Sequence, residues 1–230
     1  MSYIIGTGWW CPVNPNGPAG AVPQHTTDWH RMKALCEVWV KHVQAYTSPA
    51  GIVVVDAASK RKPSFGGAQE IKLLRNFYPE DGSNGLFGTE RTGGIRQIFM
   101  GGMYAMVNGA DYFVWIEGDC LVHGKGIIEK AIQHMGDGDF SAAKWNHEYK
   151  LETCFMVFRC SSLPRIMARY LLIKAKYPEL KFFGVSDYFK LVWMPFGYGR
   201  SRPIDFDESH YFAQHLSKKE LSEFKRRCEC

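Results

Sequence analysis

The chain has 230 residues, of which 46% are hydrophobic and 22% charged, and its formal net charge is +5. This composition is ordinary for a globular protein and excludes a disordered chain, and no apolar run approaches the roughly 18 to 20 residues of a membrane span. The positive charge favours anionic ligands such as nucleotides, but one dense basic cluster near the C-terminus is too little to predict nucleic acid binding.

Seven cysteines, an odd number without metal-finger spacing, are typical of reduced thiols. The N-terminus lacks the basic and apolar regions of a signal peptide. We therefore expect a cytoplasmic protein with a single domain over residues 1–230 and no transmembrane segment. A peripheral membrane contact and the oligomeric state are left open.

The first predicted strand covers residues 3–7 and leads into Gly6-Thr7-Gly8. This glycine pattern resembles the start of a dinucleotide-binding fingerprint, but prolines at 12, 15, 18 and 23 hold the following chain in a loop where the fingerprint needs a helix. We expect Thr7, Gly8 and Trp9 to form part of the wall of a nucleotide site. The two tryptophans Trp9 and Trp10 either stack on a base or sugar, or anchor the loop.

A helix is predicted from Trp29 to Tyr46, because apolar residues recur there at helical spacing. Ser48-Pro49 ends it, and residues 52–55 form an apolar strand that terminates at Asp56. The Asp56 carboxylate is predicted to hydrogen-bond a ribose or base. The alternative is a carboxylate that stabilises the turn.

Residues 70–75 predict a third strand, and a helix is predicted from Ile95 into Asn108-Gly109-Ala110. Arg96, near the start of this helix, is a candidate nucleotide contact or else a solvent-exposed residue. Gly101 and Gly102 each cost about 1 kcal/mol of helix stability relative to alanine, so we expect them to permit close packing against the sheet.

The segment from Tyr112 to Ile116 is aromatic or β-branched throughout, which is typical of a strand buried on both faces of a parallel sheet. It ends at Glu117-Gly118-Asp119. Side chains two apart on an extended segment point the same way, so Glu117 and Asp119 should direct two carboxylates at one point beyond the strand's C-terminal end. Two such carboxylates suit Mg²⁺ or Mn²⁺, which would bridge to phosphate.

Further elements are predicted in the second half of the chain: a helix near residues 125–135, strands at 140–145 and 153–159, and a helix from Leu163 capped by Ser161-Ser162. The two strands flank a polar hairpin that is predicted either to hold a sugar or to be an ordinary exposed loop. Its candidate substrate-binding residues are Trp145, Asn146, His147 and Glu152. Asp187 lies at the predicted start of another helix, and a charged helix ends the chain.

The order of these pieces resembles the GT-A glycosyltransferases from Tyr3 to about His215. Residues 52–56 resemble the family's strand ending in an acid that contacts the nucleoside. Residues 108–119 resemble its "Asn-Gly-Ala-Asp-Tyr" approach to the metal-binding Asp-X-Asp motif, with Glu117 in place of the first aspartate. The resemblance implies a mixed, mainly parallel α/β sheet flanked by helices.

The resemblance also implies a function: transfer of a sugar, of hexosyl or deoxyhexosyl type, from a nucleoside-diphosphate-sugar donor to a glycan or glycoconjugate acceptor. It implies a Mn²⁺ or Mg²⁺ ion held by Asp119 and Glu117, with a further ligand from a histidine near the C-terminus, either His210, the preferred residue, or His215. It gives Asp187 the role of general base in an inverting reaction, although Ser186 replaces the first acid of the family's acidic pair.

Two other functions are consistent with parts of the sequence. Gly6-X-Gly8 after the first strand, with Asp56 after the second, is also found in methyltransferases that use S-adenosylmethionine, but such an enzyme gives no role to Glu117 and Asp119. A non-catalytic sugar- or nucleotide-binding module would make both carboxylates structural.

Overall fold

The computed structural model of the protein describes residues 1–9, 29–56, 71–75, 92–144, 151–176, 189–196, 209–214 and 216–227. The strands are β1 (Tyr3–Trp9), β2 (Gly51–Asp56), β3 (Ile71–Arg75), β4 (Tyr112–Ile116), β5 (Cys120–His123), β6 (Phe140–Lys144), β7 (Leu151–Arg159), β8 (Leu191–Trp193) and β9 (Tyr211–Gln214). The helices are α1 (Trp29–Tyr46), α2 (Thr92–Val107), α3 (Ile127–Met135), α4 (Leu163–Lys176) and α5 (Lys218–Arg227).

Seven strands form one mixed sheet in the order β3-β2-β1-β4-β7-β6-β8, and β5 pairs with β9 separately. The first four strands of this order are mutually parallel, β7 is antiparallel to both β4 and β6, and β8 is parallel to β6. The predicted mixed, mainly parallel α/β sheet is confirmed. Since parallel strands end at the same edge, Trp9, Asp56 and Ile116 all lie at the C-terminal edge of this half of the sheet.

Helices cover the sheet on both faces. One buried cluster joins β1 and β4 to α1, α3, β5, β9 and α5, and a second joins the same strands to α2 and α4. Phe113 of β4 lies between two glycines: a Cβ added to Gly101 of α2 would lie 2.7 Å from its Cζ, and one added to Gly6 of β1 would lie 2.6 Å from it. The prediction that Gly101 permits close packing is therefore confirmed.

Three elements differ from the predictions. Asp119 is followed by the short strand β5, whereas the sequence predicted a helix as the next element. Two more short strands, β8 and β9, were also missed, because each has only three or four residues and pairs with a partner far away in sequence. The Ser162 hydroxyl does not cap α4 but donates a hydrogen bond to Asp139 Oδ1 at 2.6 Å.

The cysteines that the structure describes, Cys36, Cys120, Cys154 and Cys160, are buried, and none of these four forms a disulfide bond. Burial raises the pKa of the Cys160 thiol to about 11, so this group is neutral at physiological pH. In the described parts of the chain, no helix is long and apolar enough to cross a membrane.

Candidate active site

The segment after β4 folds back as a tight turn over the end of β1. The Cys120 N–H donates to the Glu117 carbonyl at 2.8 Å, which closes the turn, and the Glu117 N–H donates to Cys154 of β7 at 2.8 Å. A Cβ added to Gly118 would lie 3.5 Å from the Gly8 carbonyl oxygen and 3.6 Å from the Thr7 hydroxyl. The turn therefore brings Glu117 and Asp119 to the C-terminal ends of β1 and β4.

The two carboxylates, hereafter the acid pair, converge on one point. The side-chain amide of Gln214, the last residue of β9, donates to Glu117 Oε2 and also to Asp119 Oδ1, the latter at 2.9 Å. Both acids are partly buried, and Gln214 is buried. A single nitrogen thus contacts both carboxylates, although the two residues lie in a tight turn and not on the extended segment from which the prediction was argued.

Glu117 has a second polar contact that fixes its orientation. The Thr153 hydroxyl of β7 donates to Glu117 Oε1 at 3.2 Å. Its two carboxylate oxygens therefore accept hydrogen bonds from different strands, β7 and β9. A side chain held from two sides is pre-organised for a ligand, because little rotamer freedom remains to be lost.

Thr7 and Asp56 lie at the same edge as the acid pair, and both are fully buried. Among the described residues the Thr7 hydroxyl has no hydrogen-bond partner, although buried polar atoms nearly always have one. Asp56 is the last residue of β2 and lies in register with Trp9 of β1. Polar groups from β1, β2 and the turn after β4 are thereby brought to one edge, as the sequence predicted.

Gln97 of α2 explains why position 8 is a glycine. Its side-chain nitrogen donates to the carbonyls of Trp9 and Val55, both at 3.1 Å, and so joins the ends of β1 and β2. A Cβ on Gly8 would collide with the Gln97 amide and would lie 3.0 Å from the Trp115 ring. Gly8 therefore permits the close approach of this buried amide to the strand ends.

Trp9 and Arg96, both predicted to contact the nucleotide, pack against other parts of the protein. Trp9 is the last residue of β1 and only 3% exposed, which favours the anchoring interpretation over stacking on a base. Arg96 lies close enough to Tyr170 of α4 to oppose electrostatically the rise in the pKa of that phenol that burial causes. It is thus directed toward α4, whereas its neighbour Gln97 contacts the site edge.

The structure does not bring His210 to the acid pair. His210 precedes β9 and Gln214 ends it, so about 13 Å of extended chain separates them. His210 Nε2 donates to the Lys125 carbonyl at 3.1 Å, and its Nδ1 lies 2.9 Å from the Ser209 hydroxyl. The polar residue that β9 does present to the acid pair is Gln214.

Gln214 is the site residue that sequence reasoning missed. Its signal was present: Tyr211, Phe212 and Ala213 form a short apolar run that ends in a polar residue, like the run that ends at Asp56. The predicted residues Trp145, Asn146, His147, Asp187 and His215 lie outside the described residues, and so does the side chain of Glu152, whose backbone belongs to β7.

Comparison with solved structures supports this architecture. An active-site mutant of LgtC matches with a TM-score of 0.58 at 12% identity, over 99% of this chain and 96% of that one. The chain has the GT-A glycosyltransferase fold. The galactosyltransferase LgtC in complex with donor and acceptor sugar analogues matches with a TM-score of 0.53 at 11% identity, over 100% of this chain and 95% of that one.

A third solved structure with this GT-A fold, described as a nucleotide-diphospho-sugar transferase from Desulfovibrio desulfuricans G20, has a TM-score of 0.51. Its identity is 10%, and the match covers 84% of this chain and 80% of that one. No protein-family model and no curated protein sequence matches the chain. At these identities the likeness establishes the fold, and the chemistry must be argued from the site.

The side chains at the acid pair supply some, but not all, of the oxygen ligands that a hard divalent cation needs. Two carboxylates converge on one point, and the Gln214 amide adds a neutral side chain with one oxygen, which is the ligand chemistry that Mg²⁺ and Mn²⁺ prefer. Within the described residues no group of three His, Cys, Asp or Glu side chains forms a metal site. A complete site would therefore need water, a donor phosphate or a residue outside the described ranges.

Proposed function

We propose that this protein is a metal-dependent glycosyltransferase that moves a sugar, of hexosyl or deoxyhexosyl type, from a nucleoside diphosphate to a hydroxyl group of a glycan or glycoconjugate. The observation that carries the proposal is the contact of one Gln214 nitrogen with both Glu117 and Asp119 at the C-terminal edge of the sheet. Ligands of open α/β sheets bind at this edge. The GT-A fold supports the same substrate class.

In this proposal Glu117 and Asp119 hold Mn²⁺ or Mg²⁺, with Asp119 as the principal ligand. A divalent cation bound there would stabilise the negative charge that develops on the diphosphate as the glycosidic bond breaks. Thr153 and Gln214 keep the carboxylates oriented, and Asp56 and Thr7 contribute polar groups on the nucleoside side of the edge. The proposal requires no movement of the sheet.

The acceptor hydroxyl must lose a proton, and for this step the proposal keeps Asp187 as the base of an inverting transfer. An aspartate at a helix start could instead be only a cap, worth about 1 kcal/mol to stability. Asp187→Asn separates the two roles, because asparagine caps nearly as well but cannot accept the proton. Near-normal turnover in this variant, with donor still bound, would assign the base elsewhere or make the enzyme retaining.

The histidine ligand is tested by alanine substitution. Gln214 contacts the acid pair and His215 follows it in sequence, so His215 is now the stronger candidate, ahead of His210. Calorimetric Mn²⁺ affinity of His210→Ala and His215→Ala, each in the presence of nucleoside diphosphate, distinguishes them. An unchanged affinity in both variants would remove histidine from the metal site.

The function itself is tested by a thermal-shift screen of nucleotide-sugars with and without Mn²⁺, followed by a hydrolysis assay on those that bind. We expect one base and sugar class to raise the melting temperature only when Mn²⁺ is present. S-adenosylmethionine is the matched control. A shift with that ligand and none with any nucleotide-sugar would contradict the proposal, and binding without any hydrolysis or transfer would favour the non-catalytic module.

A further inference from the structure

Helices α2 and α4 lie side by side on one face of the sheet. Both bury residues in the same cluster against β1, β4 and β7. The Phe99 and Tyr170 rings meet edge to face at 5.4 Å, and a Cβ on Gly102 would lie 3.1 Å from Leu163. The start of α2 thus faces the end of α4, and the two helices are antiparallel. Their outward sides are hereafter called the α2/α4 face, on which the end of α2 lies beside the start of α4.

The α2/α4 face exposes apolar side chains. Among the described residues, five large hydrophobic side chains are classed as exposed, and four of them lie on these two helices: Val107 at 82%, Leu172 at 67%, Leu171 at 47% and Met103 at 45%. On α2 the residues Met100, Met103 and Val107 follow helical spacing, which places them in one stripe. Met103 and Val107 lie near the start of α4 and Leu171 and Leu172 near its other end, so the exposed apolar side chains are spread along the face and suit an extended partner surface.

The charge of the α2/α4 face is of one sign. Neither helix contains an acidic residue in its sequence. Arg96 lies in α2, and α4 contains Arg165, Arg169 and Lys176. Arg165 forms an ion pair with Asp139 at 2.5 Å. Arg169 and Lys176 are exposed beside Leu172.

We propose that the α2/α4 face binds the surface of an anionic lipid bilayer. Exposed leucine, valine and methionine side chains can enter the boundary between headgroups and acyl chains while arginine and lysine contact lipid phosphates. A second copy of the chain is a poor occupant, because a two-fold contact through this face would place like charges opposite each other. Nucleic acid would satisfy the charges but would leave the aliphatic side chains without an apolar partner.

The test is sedimentation of the full chain with vesicles of phosphatidylcholine alone and of phosphatidylcholine mixed with phosphatidylglycerol, at low and high salt. We expect binding to the anionic vesicles only. Leu171→Asn/Leu172→Asn should bind at least about tenfold more weakly, because each leucine that leaves water contributes favourably. Arg169→Gln/Lys176→Gln should bind about 25-fold more weakly, about fivefold for each basic side chain. High salt should weaken the wild type.

The matched control is Lys41→Gln/Lys219→Gln, which removes the same charge from exposed positions on α1 and α5. It should bind nearly as well as the wild type, and the melting temperature of every variant should stay near that of the wild type. Equal loss in the control would show a general charge effect and overturn the proposal. The proposal would also be overturned if the leucine variant bound anionic vesicles as well as the wild type, or if the wild type bound only neutral vesicles. It would be overturned too if a short oligonucleotide displaced both the wild type and the leucine variant from the vesicles, or if the chain dimerised through the α2/α4 face.

Discussion

The two halves of the large sheet differ in how their strands find their partners. In the β3-β2-β1-β4 half all strands are parallel, are joined through α1 and α2, and end together at the site edge. In the other half β7 is antiparallel to β4 and β6, and the separate pair β5 and β9 joins residues more than 80 positions apart. The parallel half supplies the acid pair, and the antiparallel elements supply the residues that hold it.

Under the proposed function, this division separates the groups that would bind ligands from the groups that position them. Asp56 and the acid pair follow strands of the parallel half, where the carboxyl ends meet at one edge by topology alone. Thr153 and Gln214, which hydrogen-bond the acid pair, come from β7 and β9. A change in the first group should therefore affect activity most, and a change in the second should affect stability and metal affinity together.

The largest expected effect is on activity and comes from the parallel half. Asp119→Asn should lower kcat/KM by roughly a thousandfold or more, because the cation of the proposed function would lose its principal charged ligand. Folding should change little, since asparagine can still accept the hydrogen bond from Gln214. Transfer rates and melting temperature are measured together.

The control for this substitution is Asp111→Asn at the other end of β4. Asp111 is exposed and accepts a hydrogen bond from the Ser2 backbone at 2.7 Å, far from the site edge. It should leave turnover unchanged. Unaltered Mn²⁺-dependent nucleotide affinity in Asp119→Asn would show that the acid pair is not the metal site, and the contrast between the two halves would then concern only structure.

The same contrast explains what the sequence could predict. The helix Trp29–Tyr46 was predicted with its observed bounds, and the strands at residues 52–56 and 112–116 were found because chain buried on both faces is uniformly apolar. The acid pair follows directly from such a strand. Gln214 was missed because its role depends on the pairing of β5 with β9, which is set by tertiary contacts and leaves no local pattern.

The position of His210 shows the same limit. The resemblance implied that it lies near the metal, whereas it precedes a four-residue strand whose other end meets the acid pair. Which end of a short strand faces a site depends on its direction, and that is fixed by the antiparallel register between His123 and Tyr211. Sequence periodicity over four residues cannot specify this register.

The next largest expected effect is a pH dependence of stability that arises where α1 packs on the β5/β9 pair. His42 of α1 is buried, and its Nδ1 donates to the Val122 carbonyl at 3.1 Å; burial lowers the pKa of the imidazole to about 4, so the ring is neutral at pH 7. In the unfolded chain the His42 imidazole binds a proton near pH 6.5, whereas in the folded protein it does so only near pH 4. The contribution of neutral His42 to the free energy of unfolding is therefore fully present above pH 6.5 and should be lost as the pH falls toward 4, by about 3 kcal/mol in total.

Urea unfolding of the wild type and of His42→Gln between pH 7.5 and pH 4.5 measures this contribution. The glutamine amide can donate to the Val122 carbonyl but does not titrate in this range, so the variant should lose less stability on acidification. For each protein, the free energy of unfolding is plotted against pH. The difference between the slopes of the two plots reports on His42, because carboxylates elsewhere titrate in both proteins. Identical slopes would contradict the assignment.

A smaller effect is expected at Gln214, where the halves meet. Gln214→Leu removes the donor between two carboxylates and should cost about 2 kcal/mol of unfolding free energy in EDTA, because hydrogen bonds to charged groups are worth roughly 1.5–3 kcal/mol. Mn²⁺ should restore part of this stability by offsetting the repulsion between the Glu117 and Asp119 carboxylates. Thr153→Val, which removes one contact at 3.2 Å to Glu117, should cost less. Equal melting temperatures of Gln214→Leu and wild type in EDTA would refute this role.

The smallest effect, about 1 kcal/mol, is expected where α2 packs on the parallel half. Gly101→Ala should gain about 1 kcal/mol of helix propensity, but its methyl group would lie 2.7 Å from the Phe113 ring, and overpacking a core costs about 1–3 kcal/mol. Phe113 cannot retreat toward β1, because Gly6 already contacts its other side. The net change should therefore be destabilising.

Gly102→Ala is the matched variant one position along the helix. Its methyl group would meet Leu163 at 3.1 Å, and a leucine can adjust its rotamer more readily than an aromatic ring held on both sides, so this change should be neutral or slightly stabilising. Phe113→Leu in the Gly101→Ala background should cost less than in the wild type, since it removes the overlap as well as the packing. If Gly101→Ala raises the melting temperature as much as Gly102→Ala does, α2 does not approach the sheet as closely as the Phe113 contacts require.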